Sequence, residues 1–259
     1  MDICLTQMPQ LTILVGYYGV GKTNLALNLA LGVARHGEPV TLVDLDIVNP
    51  YFRSSDYPEL LEGGGVTLLA PTFARSTLEN PSLPAAINGA FDSEGTVIID
   101  VGGDDAGATT LSRYRPDIQR YLERGGAGRG DGAQDPQDSK FAFFYVVNRF
   151  RSNAPSPEEA ASEAIAQLRD IEIASGLKAT GIINNTHLQS ETSLDTILEG
   201  LAFGEAAAKL DALPLIATTI PKQLAGAALT EHPTLRALYD AGQLWPLELL
   251  VTTPWQARS

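Results

Sequence analysis

The chain has 259 residues, a formal net charge of −13 and a single cysteine, Cys4. The excess of acidic residues disfavours binding to nucleic acid or to anionic membranes, since both depend on Lys and Arg. One cysteine excludes a disulfide framework and, within one subunit, a four-thiolate metal or iron–sulfur site.

The length suits one large α/β domain or two small ones, and we expect a single nucleotide-binding domain over residues 1–259. The chain has no charged-then-apolar leader and no apolar run long enough to span a membrane, so we expect a cytoplasmic protein. His36, His187 and His232 lack the spacing of metal ligands, and we expect surface or core positions for them.

The first element is an apolar run from Leu11 to Val15, which predicts a buried strand. Residues 16–23 then read G-Y-Y-G-V-G-K-T, the phosphate-binding pattern G-x-x-x-x-G-K-T, and a Leu- and Ala-rich segment from Asn24 to Arg35 predicts a helix. Glycines let successive backbone N–H groups form an anion-binding nest, and the helix N-terminus adds partial positive charge. Lys22 is expected to reach the β- and γ-phosphates, and the Thr23 hydroxyl to bind Mg²⁺. The alternative is a chance glycine turn. The expected nucleotide contacts are Gly16, Tyr17, Tyr18, Gly19, Val20, Gly21, Lys22, Thr23 and Asn24.

The second predicted strand, Pro39 to Asp46, ends in two aspartates, Asp44 and Asp46. Side chains alternate along a strand, so both acids point to the same side. Ligands of open parallel sheets lie beyond the carboxyl ends of the strands. Asp46 is therefore a candidate for orienting an attacking water, and Asp44 for holding Mg²⁺ through water. The alternative is that both are solvated turn residues.

The segment that follows, I-V-N-P-Y-F-R over residues 47–53, contains an Asn-Pro turn signal. Its aromatic residues and Arg53 either pack within a loop or belong to a segment that senses the nucleotide. Val66 to Leu69 predicts a third strand, and Pro81 to Phe91 predicts a short helix.

A further apolar strand, Thr96 to Asp100, ends in an aspartate that is followed three residues later by Gly103. This arrangement is typical of the second half of a phosphate-loop site. Asp100 is expected to accept hydrogen bonds from Mg²⁺-bound water, and Gly103 to let a backbone N–H approach the γ-phosphate. Asp104 and Asp105 belong to the site or cap a helix that begins near Ala108.

Residues 124–139 contain no apolar side chain larger than alanine, and we expect a mobile insertion there. Phe141 to Val147 predicts the next strand. Ser156, Pro157 and Glu159 form a capping-box pattern at the start of a helix that Gly176 ends near Ser175.

The strand Thr180 to Ile183 leads into Asn184 and Asn185. Asparagine amides at the carboxyl end of a strand can pair with a purine edge, because they carry both donors and acceptors. The alternative is that both side chains cap a turn.

The last third predicts a helix from Ser193 to Asp211, a strand from Leu215 to Pro221 and helical structure from Lys222 to Ala241 with a break at His232-Pro233. Trp245 to Val251 is a final short strand or a tail packed on the sheet. Strands and helices alternate throughout, which predicts an α/β fold with a mostly parallel sheet covered on both faces.

With these motifs in order, the chain resembles the MinD, ParA and CobQ/CobB-type P-loop ATPases. A narrower resemblance is to uncharacterised ATPases that carry D-L-D-I-V-N-P-Y-F-R and I-D-V-G-G-D-D-A-G. The family implies three layers with seven or eight strands, Mg²⁺-dependent ATP binding, slow hydrolysis, and an ATP-favoured homodimer that controls a partner. By this similarity Lys22 and Thr23 hold the phosphates and Mg²⁺, Asp46 positions water, Asp100 is the second-loop aspartate, and Asn185 or Asn184 reads adenine.

The chain departs from that family at three points. Members that dimerise across ATP usually carry a second lysine after the first loop glycine, where this chain has Tyr17. Arg53, Arg149 and Arg151 are candidates to replace that lysine, and their spacing selects none of them. The basic amphipathic tail of membrane-binding members is missing. An N-K-x-D guanine signature is also missing, so we expect ATP rather than GTP.

Three functions remain open. The chain is an ATP-dependent switch acting on a protein partner, a metabolic enzyme that activates a carboxylate with ATP, or a nucleotide-binding module without turnover. The first is the main expectation, and neither a protein partner nor a small-molecule substrate can be named from the sequence.

Overall fold

The computed structural model describes residues 8–46, 53–70, 87, 89–91, 95–103, 105–126 and 140–251. Within them the chain forms one eight-stranded sheet in the order β3-β2-β4-β1-β5-β6-β7-β8, and every adjacent pair is parallel. The strands are β1 Leu11–Val15, β2 Val40–Leu45, β3 Thr67–Leu69, β4 Thr96–Val101, β5 Phe141–Val147, β6 Gly181–Asn184, β7 Leu215–Pro221 and β8 Leu244–Leu247.

Helices connect these strands, as parallel pairing requires, because a parallel neighbour can be reached only by a crossover. They are α1 Lys22–Arg35, α2 Pro58–Gly63, α3 Asp105–Gly126, α4 Pro157–Ser175, α5 Leu194–Leu210, α6 Lys222–Glu231 and α7 Pro233–Asp240. Short 3-10 turns are formed by Ser54–Asp56, Arg149–Arg151 and Gln189–Glu191.

The central strands are buried along their whole length, and successive side chains enter opposite faces of the sheet. Ile13 and Ile99 pack on one face in a core that includes residues of α3, α4 and α5. Leu14 and Ile98 pack on the other face against α1. The predicted three-layer α/β fold, with helices on both faces of a parallel sheet, is therefore confirmed.

Several predicted boundaries are confirmed without change, among them β1, β5 and β7. Helix α4 begins as predicted, because the Ser156 hydroxyl accepts a hydrogen bond from the Glu159 N–H at 3.2 Å. It ends at Gly176, whose φ of 69° is the left-handed conformation that glycine adopts easily.

Other boundaries differ from the prediction. Helix α3 begins at Asp105, three residues before the predicted start, and continues to Gly126. The first three residues of the predicted insertion, 124–126, are therefore helical, and residues 127–139 lie outside the described residues. The helix predicted from Pro81 to Phe91 falls mostly outside them as well.

Candidate functional site

The loop that joins β1 to α1 carries the predicted phosphate-binding residues. Lys22 is buried, and its Nζ donates to the carbonyl oxygens of Gly16 at 2.9 Å and Tyr17 at 3.2 Å, so the side chain lies back over the loop. Gly21 has φ 90° at the N-cap of α1, where no side chain caps the helix. The first N–H groups of a helix have no acceptor in the preceding turn. This end of α1 is therefore suited to an anion.

Asp100 lies next to this loop at the end of β4. Its carboxylate accepts a hydrogen bond from the Ser54 hydroxyl at 2.9 Å, and the Thr23 hydroxyl lies near enough to lower its pKa. Asp100 is 1% exposed. Burial, and secondly the charge of Asp44 on the neighbouring strand, raise its pKa to about 7, whereas Lys22 acts to lower it. The structure thus brings Lys22, Thr23 and Asp100 together as the sequence predicts.

Asp44 is also buried, but its two carboxylate oxygens are bonded to backbone amides. One accepts from the Asp46 N–H at 2.9 Å and the other from the Ser55 N–H at 2.9 Å. Burial raises the pKa of Asp44, and these backbone hydrogen bonds oppose that shift. Asp44 therefore fixes the backbone after β2, and its predicted contact to Mg²⁺ through water stays a prediction.

Asp46 lies at the same edge of the sheet, beside the loop that follows β4. A Cβ atom added to Gly102 would lie 3.1 Å from the Asp46 Oδ1. Gly103 packs against the phosphate-binding loop itself, since a Cβ there would lie 2.7 Å from the Tyr18 Cα. Gly103 was expected to approach a γ-phosphate, and the structure shows that glycine is needed for contact with the loop backbone. Asp104 lies outside the described residues, and Asp105 is the first residue of α3.

The Asn24 side chain does not face the loop, contrary to its expected place among the nucleotide contacts. Its Nδ2 donates to the Glu248 carbonyl at 3.0 Å, and its Oδ1 accepts from the N–H groups of Leu250 at 2.8 Å and Val251 at 3.1 Å. Asn28, one turn later, bonds to both backbone groups of Glu248. These two asparagines hold residues 248–251, so only the backbone N–H of Asn24 remains suited to a nucleotide.

The two asparagines after β6 have different surroundings. Asn184 is fully buried, and its amide bonds to Thr218 and to both the backbone and the hydroxyl of Thr186. Asn185 instead donates from Nδ2 to the Val20 carbonyl at 2.7 Å, and its Oδ1 accepts from the Thr219 hydroxyl at 2.6 Å. Of the two predicted base readers, Asn185 is therefore the one that contacts the phosphate-binding loop.

Arg151 reaches the same loop from the 3-10 turn after β5. Its Nε donates to the Gly19 carbonyl at 2.9 Å, and its guanidinium carbon would lie 2.8 Å from a Cβ added to Gly19. Arg149 is buried and bonds to the Ala154 carbonyl at 2.9 Å, with Glu199 3.3 Å away as an ion-pair partner. Arg53 lies at the start of the Ser54–Asp56 turn. The structure thus selects Arg151 among the three arginines as the one at the loop.

His187 lies beside Asn185, over Gly21, although the sequence gave no sign of a site role. A Cβ added to Gly21 would lie 2.8 Å from the His187 Nε2 and 2.4 Å from the Asn185 Nδ2. The His187 Nδ1 accepts from the Gln189 N–H at 3.2 Å, so the neutral ring carries its proton on Nε2. Burial, and secondly the charge of Arg151, lower the pKa of His187 to about 4.

The described residues contain no cluster of three or more His, Cys, Asp or Glu side chains that would hold a metal unaided. Mg²⁺ usually keeps several waters and binds through one or two protein groups together with substrate phosphates. Two hydroxyls beside Asp100 fit that requirement: that of Ser54, which donates to the carboxylate, and that of Thr23, which lies near it. Ser54 was missed by the sequence analysis, because its link to Asp100 spans 46 residues.

No protein-family model and no curated protein sequence matches the chain. Solved structures do match it in fold. The signal recognition particle receptor FtsY of Elizabethkingia anophelis, in complex with GDP, aligns with a TM-score of 0.50 and 16% identity over 83% of this chain and 58% of that one. FtsY of Mycoplasma mycoides aligns with a TM-score of 0.53 and 15% identity over 85% of this chain and 62% of that one. The cell division protein FtsY of Thermotoga maritima aligns with a TM-score of 0.50 and 18% identity over 85% of this chain and 64% of that one.

These likenesses establish a P-loop NTPase fold for this chain, which spans less than two thirds of each of the three proteins. They do not reach the narrower MinD, ParA and CobQ/CobB family. Among the residues that the structure describes, no helix is long and apolar enough to cross a membrane.

Proposed function

We propose that the chain binds ATP with Mg²⁺, hydrolyses it slowly and acts as a nucleotide-dependent switch on a protein partner. The observation that carries this proposal is the contact of the Thr23 hydroxyl with Asp100, directly beside the buried Lys22. A hydroxyl, a carboxylate and a lysine at the N-terminus of a helix form the set that holds the phosphates and metal of a nucleoside triphosphate.

Each group has a defined part in this proposal. Lys22 leaves the loop carbonyls and donates to the β- and γ-phosphates, and the first N–H groups of α1 bind the same oxygens. Thr23 holds Mg²⁺ directly, while Asp100 accepts hydrogen bonds from its waters. Bound Mg²⁺ neutralises charge that develops on the phosphates. Asp46, at the edge where β2 ends, orients the attacking water.

Asn185 supports ATP as the nucleotide. An asparagine amide has two N–H donors and two acceptor sites, and the protein uses one of each, at Val20 and Thr219. The remaining donor and acceptor match the N7 and N6 amino group of adenine. Guanine offers two acceptors, N7 and O6, at the same edge, so one of its two contacts with the amide is mismatched.

A metabolic enzyme that activates a carboxylate is the alternative. The cavity beside Tyr17, lined in part by Ser152, Glu163 and Gln167, has a volume of about 20 Å³. That volume holds about one water rather than an organic substrate. A carboxylate substrate of such an enzyme would therefore bind outside this cavity.

The test of nucleotide binding is the Lys22→Ala variant. Loss of a charge-assisted bond to phosphate is expected to weaken binding of Mg·ATP by at least ~2 kcal/mol in isothermal titration calorimetry. Arg236, an exposed arginine on α7 that pairs with Asp240, supplies the control Arg236→Ala. Equal affinity for Mg·ATP in wild type and Lys22→Ala would remove the proposed site.

Turnover separates the functions that remain. Under the switch proposal, Asp46→Asn keeps ATP binding and loses the slow release of phosphate. No phosphate release above background in either the wild type or Asp46→Asn would instead indicate a binding module without turnover, whereas equal and measurable release in both would remove the role of Asp46. A carboxylate substrate that raises turnover many-fold would indicate the metabolic enzyme.

A further inference from the structure

Three side chains from the loops after β5 and β6 line one side of the phosphate-binding loop. Arg151 bonds to Gly19, Asn185 bonds to Val20, and His187 lies over Gly21 beside Asn185. The loop residues that these three side chains contact, Gly19, Val20 and Gly21, are consecutive. The charge of Arg151 also lowers the pKa of His187, so the three side chains are neighbours.

The planar peptide fixes which side of the loop this is. In a trans peptide the C=O and the next N–H point in opposite directions. The Gly19 carbonyl shares its peptide with the Val20 N–H, and the Val20 carbonyl shares its peptide with the Gly21 N–H. When these N–H groups face the phosphates, both carbonyls face away. Arg151 and Asn185, which bond to those carbonyls, therefore lie on the side of the loop away from the phosphates.

The side of the loop on which Arg151 lies decides whether it replaces the missing second lysine or contacts the base of the nucleotide. A cation that replaces the missing second lysine has to reach the phosphates of a partner subunit from the phosphate side of the loop, and Arg151 bonds to the opposite side. Arg151 is exposed, and within the described part of the chain the one hydrogen bond of its side chain is that from Nε to Gly19. The guanidinium lies over Gly19, and its charge acts on His187, which lies beside Asn185 over Gly21.

We propose that Arg151 forms a wall of the nucleotide's base site, with its guanidinium stacked on the face of the purine whose edge Asn185 binds. Guanidinium groups stack on aromatic rings, which lysine cannot do, because its ammonium is a compact point charge. The bond from Nε to Gly19 holds the plane of the group before the base arrives. Arg151 therefore recognises the flat face of the base, while Asn185 binds its edge, and the inference rests on the proposed nucleotide function.

The test compares two ligands that share phosphates and differ in the base, Mg·ATP and Mg·tripolyphosphate, by isothermal titration calorimetry on the full chain. Stacking on a base is worth about 1–3 kcal/mol, so Arg151→Ala is expected to weaken ATP binding roughly 5- to 150-fold. Binding of tripolyphosphate is expected to change less than about twofold, since the phosphates do not contact Arg151. The control is Arg236→Ala, which removes the same charge from α7.

The variant Arg151→Lys separates stacking from charge. It keeps the positive charge and loses the planar group, so the loss of ATP affinity is expected to persist, at about fivefold or more. An equal loss for ATP and tripolyphosphate in Arg151→Ala, or full rescue by lysine, would overturn the proposal and leave the nucleotide function standing. Failure of the wild-type chain to bind either ligand would remove the nucleotide function as well.

Discussion

At the scale of single residues, the two strand-end aspartates are chemically alike and differ in what they bond to. Asp44 accepts from two backbone amides and from the side chain of Ser55, whereas the partners of Asp100 are the side-chain hydroxyls of Ser54 and Thr23. Hydroxyls can turn from a carboxylate to a metal or its water, because the O–H rotates freely. Backbone amides fixed in a turn cannot. Asp100 is therefore the better placed of the two to respond to Mg²⁺.

The raised pKa of Asp100 predicts how stability depends on pH. Its pKa rises from 3.8 to about 7 on folding, so folding is more favourable when the carboxyl group is protonated than when it is ionised. That stabilisation is complete below pH 3.8 and is lost as the pH rises through about 7, at up to ~1.4 kcal/mol per unit. The free energy of unfolding in urea, measured without Mg²⁺ at several pH values from roughly 5 to 8, checks this prediction.

The groups that face Asp100 are Asp44, Lys22, Thr23 and Ser54. The Asp100→Asn variant provides the comparison, because an amide cannot take on charge in this range. Its advantage over the wild type is expected to grow as the pH rises. A difference between the two proteins that stays constant with pH would contradict the prediction.

Sequence reasoning predicted the candidate site residues that belong to local motifs and missed the candidates brought in by the fold. Lys22, Thr23 and Asp100 follow from short patterns, each on a strand or at the start of a helix. Arg151 meets Gly19 across 132 residues, and no pattern of spacing connects them. Such contacts depend on which strands become neighbours, and this is decided by the packing of the whole sheet.

At the scale of elements, the 3-10 turn Ser54–Asp56 connects β2 to the site. Asp44 holds the turn through the Ser55 N–H, and Asp100 holds it through the Ser54 hydroxyl. The turn therefore spans two neighbouring strands, β2 and β4, at the register pair Asp44 and Asp100. If Mg²⁺ draws Ser54 or Asp100 into its coordination, this turn is the first element to move.

We predict that Asp44 is needed for stability even without nucleotide. The Asp44→Ala change leaves the Asp46 and Ser55 N–H groups without their acceptor, at a cost of about 1–3 kcal/mol each if they stay buried. The free energy of unfolding in urea, measured with EDTA present, should fall by about 2 kcal/mol or more. A residue that serves only as a metal ligand would show no such loss in EDTA.

The strands were predicted better than the short helical pieces for a physical reason. A buried parallel strand is a continuous apolar run, and Phe141–Val147 leaves little choice of boundary. Helix α2 has only six residues, too few for a helical period to be recognised, and the sequence analysis missed it. Helix α3 crosses Pro116, which a sequence pattern usually takes as a break.

At the scale of the whole molecule, the sheet order explains how distant motifs form one site. Strand β1 lies between β4 and β5, so the phosphate-binding loop is flanked by Asp100 on one side and by the turn that carries Arg151 on the other. The alternation of strands and helices predicted a parallel sheet. It did not predict the order of the strands, because several crossovers satisfy the same alternation.

We expect ATP to drive only weak self-association of this chain. In the resembling family a second lysine neutralises phosphates of the partner subunit, and the corresponding Tyr17 carries no charge and is 47% exposed. Arg151 bonds to the opposite side of the loop. Sedimentation velocity of Asp46→Asn with Mg·ATP should therefore give mainly monomer. A tight dimer that is lost in Tyr17→Ala would contradict this expectation.

The segment 248–251 has a consequence for how the molecule is handled. Asn24 and Asn28 fasten it to the opening turn of α1, and the ion pair of Lys222 with Glu248 at 2.8 Å adds a further attachment. Val251 donates its N–H to the Asn24 side chain, and Asn24 lies two residues after Lys22. A fluorescent label attached at position 251 would therefore lie close to the proposed nucleotide site and would be well placed to register ligand binding.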